Sequence, residues 1–188
     1  SLILAVAGIS MWGAGSYNGL VDKDETVNAS WAQVQNVYQR RLDLVPNLVA
    51  TVKGAAKFER DTLREVAQAR AAATGVTMDA SVLKDPTKFA QFEKAQASFG
   101  GALGRLLVSM EKYPDLKSNE NFKALQDEVR DTEDRIAVER HNFNEVSGVY
   151  NAALRKMPTL LVARQAGFKA RPYFKSEDSA SVAPKVEF

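Results

Sequence analysis

His141 is the only histidine of the 188-residue chain, and cysteine is absent. A zinc site built on two histidines is therefore out of reach, as are thiol catalysis, disulfides and thiolate-ligated metals. A di-iron helical bundle needs Glu-x-x-His from two helices, but Val138 stands three residues before His141. The densest set of acid groups is Asp127, Glu128, Asp131, Glu133, Asp134 and Glu139. Acid/base catalysis needs carboxylates whose surroundings drive their pKa values apart. Here Arg130, Arg135 and Arg140 interleave with them at one-turn spacings such as Asp131–Arg135, the pattern of a solvated helix face laced with i,i+4 pairs. No glycine-rich phosphate loop, Walker-type lysine or Ser/His/Asp set is present. No metal, cofactor or intrinsic catalysis is expected.

Two positions depart from that surface pattern. Arg140 and Thr132 fall on the apolar face of their segment. A buried guanidinium requires a carboxylate, and the segment Arg40-Arg41-Leu42-Asp43 is the natural region to face it, with Asp43, Glu59 or Glu139 as acceptor. An internal polar layer that fixes helix register is expected there. Three glycines, Gly100, Gly101 and Gly104, also lie inside a helical pattern, where each costs about 1 kcal/mol against Ala. Close helix–helix approach would compensate; a hinge or a partner-docking groove is the alternative.

The elements that must hold these residues are helices. Val27, Trp31, Val34, Tyr38, Leu42, Val45, Val49, Val52 and Ala56, then Leu63 and Val66, recur at steps of mostly three and four, one helical face. They predict a helix from about Asp24 to Ala73 that is kinked or broken at Pro46. Residues 74–84 form a loop, and Asp85-Pro86 starts a second helix running to Tyr113, whose face is Phe89, Phe92, Gln96, Phe99, Leu103, Leu106, Met110 and Tyr113. Pro114 ends it, and Ser118-Asn119 caps a third helix that reaches Met157. Its face is Phe122, Leu125, Val129, Thr132, Ile136, Arg140, Phe143, Val146, Tyr150 and Leu154. A short fourth helix, Thr159–Ala166, closes on Gly167. The expected fold is all-α: an elongated antiparallel bundle of three long helices plus a short fourth, behind one transmembrane helix.

That transmembrane expectation rests on Ser1 to Val21, which carry no charge and are followed by Asp22-Lys23-Asp24-Glu25. About 20 helical residues match a hydrocarbon core of roughly 30 Å. The domains expected are 1–21 as anchor, 22–174 as bundle and 175–188 as C-terminal tail. A cleaved signal peptide ending near Gly13-Ala14-Gly15 is the alternative. Gly15-x-x-x-Gly19 either lets two anchors approach or loosens the join to the bundle. With only Lys23 on the near flank, the helical domain is expected on the periplasmic side of a bacterial inner membrane. A formal net charge of +2 with interleaved signs gives no reason to expect nucleic-acid binding.

Several runs together resemble the bacterial LemA family over nearly the whole chain. They are Tyr17-Asn18-Gly19-Leu20-Val21, Trp31-Ala32-Gln33-Val34, Gln39-Arg40-Arg41-Leu42-Asp43-Leu44-Val45-Pro46-Asn47-Leu48-Val49, Tyr113-Pro114-Asp115-Leu116-Lys117, Thr132-Glu133-Asp134-Arg135-Ile136 and Ala183-Pro184-Lys185-Val186-Glu187-Phe188. Leu42 stands where the family commonly has a small residue, and Ala55-Ala56-Lys57-Phe58 is less aromatic than usual. The resemblance implies a membrane anchor and a bundle of long helices, and no established enzymatic activity. It also implies that a kink at Pro46 belongs to the architecture. Asp43 and Asn47 would then satisfy the backbone groups that Pro46 releases, or, with Arg40 and Arg41, form a recognition surface. The function expected is a membrane-anchored scaffold or adaptor acting through protein–protein contacts. Its partners would be the bilayer through residues 1–21, other copies of itself and a membrane protein. An accessory subunit of a membrane peptidase or hydrolase, and a bundle binding a small ligand or lipid, are the alternatives.

Overall fold

The structure, a computed structural model, describes residues 2–53 and 60–175, and every regular element among them is helical. α1 spans Leu2–Lys53, α2 Arg60–Thr74, α3 Pro86–Met110, α4 Pro114–Lys117, α5 Glu120–Arg155 and α6 Thr159–Ala166, with a 3-10 helix at Ala80–Lys84. The starts and stops follow from local chemistry. Asp85 accepts from the Thr87 and Lys88 amides at the head of α3, and Asn119 accepts from the Phe122 amide at the head of α5. Gly167 ends α6 in the left-handed region at φ 75°, a conformation in which a side chain would be strained.

The first predicted helix is two. α1 ends at Lys53, and α2 runs back beside it, so that Arg70 reaches the carbonyl of Leu42. A 3.6-residue stripe has the same spacing in one long helix and in two whose stripes face a common core, so periodicity alone did not separate them. The four long helices then alternate in direction. Residue numbers rise along α1 from Asp24 through Trp31 to Arg41 while their α5 neighbours fall from Tyr150 through Phe143 to Glu133.

Two hydrophobic clusters fill the bundle. One holds Trp31 among Phe89, Phe92, Phe143 and Phe174, with ring centroids 5.3–6.1 Å away, where each aromatic pair adds about 0.5–1.5 kcal/mol beyond burial. The other joins Leu42–Val52 of α1 to α2, the second half of α3 and the start of α5. The predicted faces of α3 and α5 are the buried ones, save that Tyr113, Leu125, Arg140 and Val146 are only half-buried.

The expected transmembrane anchor finds no support among the described residues. No helix among the described residues is long and apolar enough to cross a membrane. Three glycines and two serines between Ser10 and Gly19 dilute the apolar start. The helix does not stop at residue 21, just before the charges begin. α1 passes it without a break, Leu20 belongs to the aromatic cluster, and Tyr17 packs on Phe168 at 5.6 Å. Cβ atoms added at Gly13, Gly15 or Gly19 would meet nothing within 4 Å. The expected tail falls outside the described residues from 176 onward.

After α6 the chain returns along α5 as a strap. Asn151 donates to the Arg171 carbonyl and accepts from its amide, at 2.9 and 2.8 Å. Asn144 does the same for Phe174, at 2.9 and 2.8 Å. Seven helical residues rise about 10.5 Å, and three extended residues cover about 10 Å, so the two clamps match.

Candidate functional site

Between the two hydrophobic clusters lies one polar layer. Arg41, 3% exposed, enters it from α1. Its Nη2 donates to the backbone carbonyl and the Oε1 of Gln96 on α3, at 2.9 and 2.6 Å. Its Nη1 donates to both carboxylate oxygens of Glu133 on α5, at 3.2 Å each. The guanidinium is sandwiched by the rings of Tyr38 and Phe99, with its carbon 5.0 and 5.1 Å from their centroids. Thr132 closes the layer by donating its hydroxyl to the Glu128 carbonyl at 2.8 Å. One arginine thus ties three helices at one height, which fixes their register. Burial pushes the Tyr38 hydroxyl above its ordinary pKa, although Arg140 and Arg41 pull it back.

The predicted polar layer therefore exists, but its centre is Arg41 and not Arg140. Arg140 sits at the edge, about one-fifth exposed. It donates to the Lys175 carbonyl at 2.8 Å, lies 3.9 Å from Glu93 and stacks over Phe174 at 4.9 Å. The acceptors named from sequence are not the ones used. Asp43 is exposed and accepts from Gln39, Glu139 accepts from Asn142, and Glu59 is outside the described residues. Because Arg140 is on the stripe it read as buried; because Arg41 is one residue off the Tyr38–Leu42 line it did not.

Above this layer, α3 and α5 stand apart and leave a groove of about 740 Å³. Arg41 and Tyr38 form its floor, and Glu93 and Arg140 one end. The three glycines of α3 form a wall. An added Cβ at Gly104 would meet nothing within 4 Å, and at Gly101 only the flexible end of Arg105 at 3.5 Å. Close helix packing is therefore not what these two glycines serve: they hold the groove open. Gly100 differs, since a Cβ there would sit 3.0 Å from Arg41 Nη1. Its missing side chain is the space the guanidinium occupies. The Nε of Arg41 is buried with no hydrogen-bond partner among the described residues.

Arg40, Asp43, Pro46 and Asn47 are not in the groove. All four are exposed on the outer side of α1, with Arg40 paired to Glu128 at 2.8 Å. Pro46 lacks the amide that would bond the Leu42 carbonyl. Neither Asp43 nor Asn47 supplies a substitute. Arg70 of α2 does, donating its Nε–H to that carbonyl at 3.0 Å. α1 therefore runs through Pro46 without the break expected as one alternative, and a side chain from the neighbouring helix takes the carbonyl that proline leaves free. His141 is exposed, and among the described residues no group of three or more His, Cys, Asp or Glu is placed to hold a metal ion. Sequence reasoning missed Glu93, Lys94, Lys175 and Arg70. The groove side of Gln96 was signalled by its being the one polar member of a phenylalanine-lined face.

The sequence pattern of the LemA family matches residues 30–188. Magnetosome protein MamQ of Magnetospirillum gryphiswaldense is 29% identical over 189 residues, covering 90% of this chain and 70% of that protein. Magnetosome protein MamQ 2 of Paramagnetospirillum magneticum is 28% identical over 190 residues, with the same coverage of 90% and 70%. Protein LemA of Metamycoplasma hominis is 26% identical over 144 residues, covering 77% of this chain and 61% of that protein. With the family pattern running through the polar layer, both walls of the groove and the strap, this chain belongs to the LemA family.

Proposed function

We propose that this chain is a helical scaffold that works at a bacterial cell membrane by holding a partner polypeptide in the groove between α3 and α5. The observation that carries the reading is the glycine wall. Natural helices rarely keep Gly at three of five consecutive positions without return, and here two of the three open a groove over a buried ionic layer. A partner segment gains close backbone approach along α3, apolar contact with Leu103, Leu107 and Ile136, and charged groups at the floor and one end. The uncharged first part of α1 supports membrane association. Similarity to proteins named for the magnetosome is in keeping with an assembly role.

The scaffold reading includes self-association, with a second copy among the candidate occupants. Native mass spectrometry after gentle extraction from membranes tests it: the chain is expected to carry a second polypeptide, and a lone monomer overturns the reading. One observation favours a second reading, a small ligand in the same groove. The unpartnered Arg41 Nε leaves donor capacity for an acceptor group, and a bound species of small mass in the same spectra would select this reading.

A further inference from the structure

Residues 146–175 contain six Lys or Arg and no Asp or Glu. Spread along the sequence they form no cluster, but four of them fall on α6 and the chain flanking it, beside the point where α1 leaves the core. α5 descends to that end of the bundle, α6 crosses α1 there, and Phe168 meets Tyr17 where α1 leaves the core. Arg171 is consumed inside, donating to Asp24 at 3.1 Å through Nε. Lys175 goes to the groove. The remaining four, Arg155, Lys156, Arg164 and Lys169, are exposed, and no described carboxylate pairs with them. Arg155 and Arg164 also sit in the last turns of α5 and α6, and Lys156 is the C-cap of α5, where helix dipoles favour a cation; Lys169 lies outside the helices and has no such role.

Exposed apolar side chains share this end. Met157 is 67% exposed, Leu161 56%, Met11 78%, Trp12 41% and Tyr17 45%. Large apolar groups in water, flanked by amphipathic aromatics and exposed cations, match the layered chemistry of a membrane surface: hydrocarbon edge, aromatic belt, anionic headgroups. The carboxylates of α1 begin only at Asp22, beyond Tyr17 on the bundle side.

We infer that α6 and its flanks form a collar that binds anionic phospholipid headgroups around the point where α1 leaves the bundle. The inference rests on the membrane reading above and adds which surface meets the lipid and which headgroup charge it selects. Met157 and Leu161 enter the headgroup boundary beside α1, and the four cations neutralise lipid phosphates.

The test uses the full chain and co-sedimentation with vesicles of phosphatidylcholine alone or mixed with phosphatidylglycerol. Wild-type protein is expected to prefer the anionic vesicles and to lose that preference as salt rises. The variant Arg155→Gln/Lys156→Gln/Arg164→Gln/Lys169→Gln is expected to bind them about a thousandfold more weakly, with unchanged helical circular dichroism. A control with the same charge change elsewhere, Arg64→Gln/Lys112→Gln/Lys123→Gln/Arg130→Gln, is expected to bind as wild type does. Equal binding of wild type and collar variant to both vesicles overturns the collar and leaves the membrane reading standing. No binding of wild type to either overturns both. Equal losses in the control, or equally tight binding of wild type to a DNA duplex, overturn the assignment to lipid.

Discussion

Replacing Arg41 by Met strands Gln96 Oε1 and removes the guanidinium that links α1, α3 and α5. Glu133 keeps 39% of its side-chain surface in water and rehydrates, so the loss is smaller than for a fully buried pair. About 2 kcal/mol is expected, read by chemical denaturation. Arg41→Lys is not expected to recover it, because an ammonium cannot hold both forks at once. Arg140→Met, at the edge of the layer, should cost about 1 kcal/mol or less. The glycines separate on the same principle. Gly104→Ala adds a methyl to open space and should stabilise by up to about 1 kcal/mol. Gly100→Ala pushes on Arg41 and should show no such gain in the same melts. Tyr150 gives a pH signature. Burial and then Asp24 push its hydroxyl up to about 12, against an opposing pull from Arg171. A folded pKa raised above its unfolded value of about 10 contributes stability that is complete below pH 10 and lost as pH climbs through 12. Tyr150→Phe should flatten that alkaline fall, measured as denaturation midpoints across that window.

Pro46 shows how one helix depends on another. Arg70 supplies the hydrogen bond to Leu42 that proline cannot. Arg70→Ala should therefore cost about 1–2 kcal/mol in the natural chain and much less in a Pro46→Ala background, where the restored backbone amide can take the carbonyl. Equal costs in the two backgrounds, from a double-mutant cycle, would remove this role from Arg70. The faces of α3 and α5 were legible because their stripes hold 3/4 spacing for seven turns or more, and their caps at Asp85 and Asn119 carry their own local signal. The split of the first stripe into α1 and α2 was not legible, since reversal leaves the period intact. Nor was the strap: Asn144 and Asn151 grip backbone atoms of residues 171 and 174, and backbone atoms leave no mark on side-chain pattern. The polar layer was foreseen as a device but assigned to Arg140, because periodicity ranks residues by angle and not by the reach of a long side chain.

At the scale of the molecule, two features carry the proposed function: a groove lined by small residues over a buried arginine, and the exposed Lys and Arg side chains of α6 and its flanks near where α1 emerges. The sequence showed the glycines and the uncharged start but could not show that Gly101 and Gly104 face empty space or that Phe168, next to Lys169, meets Tyr17 where α1 leaves the core. Those are facts of three-dimensional neighbourhood. The central claim is that the groove holds a partner polypeptide. Its most direct test is native mass spectrometry of the membrane-extracted chain, wild type beside Gly101→Leu/Gly104→Leu, with helical content and melting checked in parallel. The account predicts that the leucines fill the groove, leave the bundle folded and strip away the second polypeptide carried by wild type. A folded double variant that keeps that polypeptide in full would contradict it.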